Sequence, residues 1–118
     1  MWIFTTSGFI SAVRNPNDQT IIVRSRDRAS LEPISSRFRT PIKQTPLADY
    51  PYRLFLEHEK FTLWVSDEAS ALDYRNFKSE VAALRGKDFA RTLGQVWSTM
   101  HQVEDAGSRL KGEGDVNE

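Results

Sequence analysis

The chain reads as an α+β fold: an antiparallel sheet of about five strands with helices packed on one face, loosely ferredoxin-like, followed by C-terminal helices. Three observations predict it. Short β-branched and aromatic runs alternate with turn residues over the first 57 positions, which is the signature of hairpins. From residue 59 onward the apolar residues recur every three or four positions, the helical period. Strands gathered early and helices late bury their apolar surfaces best as a sheet with helices on one face.

The elements follow in order. Trp2 to Thr5 is a short apolar strand closed by the Ser7-Gly8 turn signal. Phe9 to Arg14 and Thr20 to Arg26 flank the turn cluster Asn15-Pro16-Asn17-Asp18-Gln19 and form a hairpin. Because successive side chains alternate faces, Ile21 and Val23 point one way and Ile22, Arg24 and Arg26 the other. Leu31, Ile34 and Phe38 are helically spaced; a cap at Ser30 puts Pro33 in the first turn, where its missing N–H is tolerated, and predicts a helix over 30–38. Thr40 to Thr45, flanked by Pro41 and Pro46, suits an edge strand.

The densest apolar strand is Tyr52 to Glu57, with Tyr52, Leu54 and Leu56 on the core face and Arg53, Phe55 and Glu57 on the other. A helix over 59–72 follows, carrying Phe61, Trp64, Val65, Ala69 and Leu72. Asp73 is positioned to cap a further helix bearing Phe77, Val81 and Leu84 and stopped by Gly86. Asp88 is positioned to cap the last one, with Phe89, Leu93, Val96, Met100 and Val103. The domain is expected to span 1–106, and the polar, glycine-rich 107–118 to be a disordered tail. The opening hairpin departs from a simple ferredoxin-like pattern.

Composition closes several classes. Hydrophobic residues at 39% and charged residues at 27% are ordinary for a globular domain, against global disorder. No apolar run approaches about 18 residues, and the start of the chain lacks the basic and apolar regions of a signal peptide, so a cytoplasmic protein without a membrane span is expected. The absence of cysteine excludes disulfides, thiolate metal sites and a cysteine nucleophile. The zero net charge is uneven: residues 1–46 carry seven Arg and Lys against three Asp and Glu, a balance of +4, and the rest carries −4.

Enzyme signatures are missing, so no catalytic residue, cofactor site or metal site is assigned. Gly86-Lys87 lacks the preceding glycine of a phosphate loop, and Gly112-x-Gly114 has no strand before it. His58 and His101 are the only imidazoles and share no ligand spacing. His58 reads as a partly exposed strand-end residue and His101 as a helix-surface residue. Asp73 and Asp88 have simpler work as caps, while Asp67 and Glu68 fall on the expected solvated side of their helix.

Two surfaces have binding chemistry. Arg24, Arg26, Arg53 and Phe55 share a sheet face, and arginine beside an exposed aromatic is what single-stranded nucleic acid requires. A solvated, charged face on a half-covered sheet is the plainer reading, and no RNA-recognition-motif consensus is present. Trp97 lies at the margin of the last helix's apolar stripe, either as a core edge beside Trp64 or as an interface anchor. With Tyr74, Phe77, Lys78 and His101 it marks a candidate protein interface.

Met1-Trp2-Ile3-Phe4-Thr5-Thr6-Ser7-Gly8-Phe9 with Ser11-Ala12-Val13, Asp49-Tyr50-Pro51-Tyr52-Arg53, Asp73-Tyr74-x-Asn76-Phe77-Lys78 and Val96-Trp97-Ser98-x-Met100 together resemble a family of small uncharacterised proteins from actinobacteria and their bacteriophages. The resemblance covers residues 1–103 and implies a setting rather than a mechanism, because the family has no assigned activity. That setting is a phage-type accessory protein in the cytoplasm of a bacterial host. The function expected is non-enzymatic binding of a host or phage protein, with self-association as a further form of it. The alternative is a nucleic-acid-binding module using the Arg/Phe face.

Overall fold

The computed structural model describes residues 1–104; the expected tail and the last two residues of the expected domain lie outside the described residues. Five strands, β1 (Trp2–Thr5), β2 (Gly8–Arg14), β3 (Thr20–Ser25), β4 (Lys43–Gln44) and β5 (Tyr52–Glu57), form one sheet in the order β1-β2-β3-β5-β4. Every neighbouring pair is antiparallel. Four helices accompany it: α1 (Glu32–Phe38), α2 (His58–Ser70), α3 (Phe77–Arg85) and α4 (Lys87–Thr99). The antiparallel α+β architecture is as the sequence predicts, with the opening β1-β2-β3 meander as its departure from a ferredoxin-like order.

Alternation along the strands sorts the sheet into two faces. Ile10, Ala12, Ile21, Val23, Leu54 and Leu56 lie on one face and are buried by Leu31 and Ile34 from the α1 segment and Phe61 and Trp64 from α2. The register sets Val23 opposite Leu54 and Ile21 opposite Leu56, so adjacent strands bring their apolar residues into the same rows. On the other face, Arg24 stands opposite Arg53 and Ile22 opposite Phe55, as the alternation requires. The β2–β3 turn closes on its own polar side chains: Asn15 Oδ1 accepts from the Asn17 amide (3.0 Å) and Asp18 Oδ1 from the Thr20 amide (2.7 Å).

Element ends differ from the sequence reading at several positions. Ser30 does not cap α1; it ends a 3-10 turn (Arg28–Ser30), Leu31 occupies the cap position, and Pro33 stays in the first turn. The edge strand shrinks to Lys43–Gln44, since Pro41 and Pro46 leave little backbone able to pair. His58 begins α2 directly after β5 rather than ending a strand. Asn76, not Asp73, caps α3, its Oδ1 accepting from the Ser79 amide at 2.9 Å. Gly86 serves both as the stop of α3 and the start of α4; its φ of 93° is a conformation glycine adopts without strain. Asp88 sits inside the first turn of α4 and pairs with Arg91 at 2.9 Å.

The α3–α4 hairpin has a small core of its own, Val81, Ala90 and Leu93, with Phe77, Ala82 and Phe89 packed around it. Three buried residues are too few to hold two short helices in water, so its attachment to the sheet matters. Arg85 provides it. Its Nη1 donates to the Ser7 carbonyl (2.6 Å) and to Ser30 Oγ (3.3 Å), its Nη2 pairs with Asp27, and its guanidinium lies 4.0 Å from the Phe89 ring centroid. Ser30 Oγ donates to Asp27 Oδ1 (2.5 Å) and accepts from the Phe9 amide (3.2 Å). Ser25 Oγ donates to the Phe9 carbonyl at 2.7 Å. The β1–β2 turn, the end of β3, the 3-10 turn and α3 therefore meet in one polar clasp.

Two predictions test the clasp. A Cβ on Gly8 would stand 2.1 Å from Ser30 Oγ and 2.9 Å from Ser30 Cα, so the backbone itself obstructs any side chain. Gly8→Ala is expected to lower stability by about 2–3 kcal/mol, read as a lower urea midpoint at unchanged slope. For Asp27, burial raises the carboxyl pKa, but hydrogen bonds from Ser30, Arg85 and Ser25 and the Arg85 charge outweigh it and hold it below the ordinary carboxylate value. A depressed folded pKa gives stability that is present above the unfolded value of about 3.9 and lost as pH falls through the lower folded one. Asp27→Asn should therefore flatten the acid limb of the stability–pH curve, measured by urea unfolding from neutral pH to below the carboxylate range.

Candidate functional site

Strand β1 is an edge among the described residues, where it pairs with β2 alone. In an antiparallel ladder alternate residues exchange both backbone hydrogen bonds with the partner strand while those between turn theirs outward. Met1 and Ala12 exchange both bonds, at 2.8 and 2.9 Å, which assigns the inward bonds to Ile3 and Thr5. The N–H and C=O groups of Trp2 and Phe4 consequently point off the sheet. Natural edges are usually blunted by charge, proline or a bulge; Trp-Ile-Phe-Thr has none of these.

On the face opposite the main core, Trp2 and Phe4 gather around Phe9, at ring separations of 5.9 Å edge-on and 4.6 Å stacked. Docked by the clasp, α4 lies across from these rings. Its Phe89, Leu93 and Val96, with Met100 at the start of the 3-10 turn that follows, are spaced for one helical stripe and line, together with the aromatic cluster and Tyr50, a groove of about 740 Å³. Trp2 is 70% exposed and Met100 54% exposed at its rim. A second depression of about 410 Å³ shares Phe4, Leu93 and Val96 and adds Phe77, Lys78 and Trp97. The apolar surface is therefore continuous from the β1 edge to the outside of the helical hairpin.

The five residues marked as a protein interface fall beside this surface. Tyr74 and Phe77 pack at 6.0 Å, Lys78 Nζ sits 5.7 Å from the Trp97 ring, and Trp97 meets His101 edge-on at 4.8 Å. His101 Nδ1 lies 2.9 Å from Glu104 Oε1. Trp97 is 63% exposed, which places it outside the core; Trp64 packs on Phe61 at 5.9 Å instead of on Trp97. The alternation Trp2-Ile3-Phe4 carried the signal for the β1 aromatics, but their pairing with α4 is a tertiary fact that the sequence reading missed.

Arg24, Arg53 and Phe55 share the face opposite the main core, on adjacent strands. Arg24 and Arg26 both lie against the Tyr50 ring, at 4.7 and 5.0 Å from its centroid. Arg26 lies just beyond the end of β3 and donates to the Asp49 carbonyl at 2.9 Å.

Among the described residues no three His, Asp or Glu side chains gather to hold a metal, and none of their helices is long and apolar enough to cross a membrane. Asp67 is engaged by Arg37. Glu68 is half-buried rather than solvated: it borders a depression of about 300 Å³ beside Ile3, Phe4 and Tyr74. Burial raises its carboxyl pKa, the Arg37 charge opposes that, and Asp67 adds to it. No described hydrogen bond joins Glu68 to a second acid, base or nucleophile, so it stands alone.

No family model, no curated protein and no solved structure matches the chain.

Proposed function

We propose that the chain works by binding another protein, through the β1 edge and the apolar groove beside it, rather than by catalysis. The observation that carries this reading is the continuity of an uncharged edge strand, whose outer side has no partner strand among the described residues, with exposed Trp2, Phe4, Val96, Trp97 and Met100. Large connected apolar patches on a folded domain mark interaction surfaces, and aromatics are the side chains that dominate their energetics. An extended partner segment would add a strand on the outward groups of Trp2 and Phe4, while its alternate side chains enter the groove.

The resemblance to proteins of actinobacteria and their phages supports a host or phage protein in the bacterial cytoplasm as the partner. A second copy fits the same edge: antiparallel pairing centred on Ile3 sets Trp2 of one copy opposite Phe4 of the other and satisfies both outward groups of each. Trp97 and its neighbours Tyr74, Phe77, Lys78 and His101 form the outer border of the surface.

Light scattering on the eluting protein, together with affinity capture from bacterial lysate, tests the reading. The wild-type chain should self-associate or retain a discrete partner. Trp2→Lys and Met100→Glu should each weaken that association roughly 30-fold, the loss of one anchor worth about 2 kcal/mol, with the circular dichroism spectrum unchanged. A protein that stays monomeric and retains nothing, or variants that associate as the wild type does, would contradict it.

A further inference from the structure

A second surface lies on the same side of the sheet, beside the groove: Tyr50, which lines the groove, has Arg24 against its ring at 4.7 Å. The register aligns Trp2, Ser11, Arg24, Arg53 and Lys43 in one row across all five strands. Three of the five are cations on consecutive strands, within about 10 Å given the strand spacing. Like charges directly opposite each other destabilise a sheet, yet none of the ion pairs among the described residues includes Arg24, Arg53 or Lys43. Their contacts are uncharged. Arg24 Nη2 donates to Ser11 Oγ (2.7 Å), Arg53 Nε donates to Thr45 Oγ1 (3.2 Å), and Lys43 Nζ rests 5.3 Å from the Phe55 ring centroid. Arg24 Nε is buried with no acceptor among the described residues.

The neighbouring row on this face is apolar: Val13, Ile22 and Phe55 stand opposite one another on β2, β3 and β5. It is displaced from the cations by two residues, about 7 Å along the strands. Helices α1 and α2 bury the other face; on this one α4 lies across from the aromatic end near Trp2 and from the end of β3, and the buried Tyr50 packs against Arg24, leaving Arg53, Lys43 and Phe55 beyond it.

We infer that this face binds single-stranded nucleic acid, with phosphates over the Arg24-Arg53-Lys43 row and a base stacked on Phe55. Charge complementarity selects the occupant. A line of cations that form no ion pair among the described residues matches a linear polyanion better than a single free phosphate, and the ring beside it adds an affinity that only an unstacked base can use. A duplex keeps its bases stacked inward and offers Phe55 nothing. The inference does not rest on what the adjoining apolar groove binds.

Fluorescence anisotropy of the full chain with labelled single-stranded DNA and RNA of about a dozen nucleotides tests it, one binding site of this kind spanning ~4–16 nucleotides. Both strands, or one of them, should bind at low salt. Three phosphate contacts give a log–log salt slope of about −2, so a fourfold rise in salt weakens binding roughly 20-fold. Lys43→Gln, at an exposed position of a two-residue edge strand, should reduce the slope by about 0.7 and leave the fold intact. Phe55→Leu keeps the apolar row but should weaken binding by about 5-fold or more at unchanged slope. Three results would overturn the inference: no anisotropy change with either strand at low salt, polyglutamate or duplex DNA competing as well as the single strand, or wild-type affinity in Phe55→Leu.

Discussion

The contact between Arg85 and Asp27 holds the arrangement together, because it is where the helical hairpin becomes part of the sheet domain. Its chemistry suits a site only partly withdrawn from water. The Arg85 side chain retains 17% of its exposure and that of Asp27 39%, so the pair avoids most of the desolvation cost of a buried ion pair while gaining more than an exposed one. Ser30 and the Ser7 carbonyl share the remaining donors and acceptors. A clasp that satisfies every member is directional, and that direction sets how α4 lies against β1.

The surfaces follow from this constraint. Without α4 in place, Trp2, Phe4 and Phe9 would form an aromatic cluster on a bare sheet; with it, they form one wall of a groove whose other wall is Leu93, Val96 and Met100. The hairpin does not cover the β3–β5–β4 part of the same face, where Arg24 and Lys43 line up with Arg53 and the Tyr50 ring packs against Arg24. One side of one sheet thus carries two surfaces of different chemistry, an apolar one toward β1 and a cationic one toward β4.

What was legible in the sequence was whatever depends on local period. The alternation of Ile21 and Val23 against Ile22 and Arg24, the inner strand Tyr52 to Glu57, the first-turn Pro33 and the Gly86 stop all express short-range geometry, and each stands where that geometry puts it. Side chains recruited by distant partners were illegible. Ser30 has the chemistry of a helix cap, but Asp27, Phe9 and Arg85 claim its hydroxyl. At α3 the difference is local: Asn76 rather than Asp73 takes the cap, its side chain accepting from the Ser79 amide. Of the candidate surfaces, the Arg24, Arg53 and Phe55 face could be read from alternation alone. The groove could not, since it exists only where two elements about 85 residues apart in sequence face each other.

The account turns on whether the clasp is what makes the hairpin part of the fold. Native-state amide hydrogen exchange of Arg85→Ala, read residue by residue against the wild type, tests this most directly. The hairpin core should open on its own, so that Val81 and Leu93 lose protection while Val23 and Leu54, at the centre of the main core, keep theirs. Equal loss at all four positions, or none at any, would contradict the account.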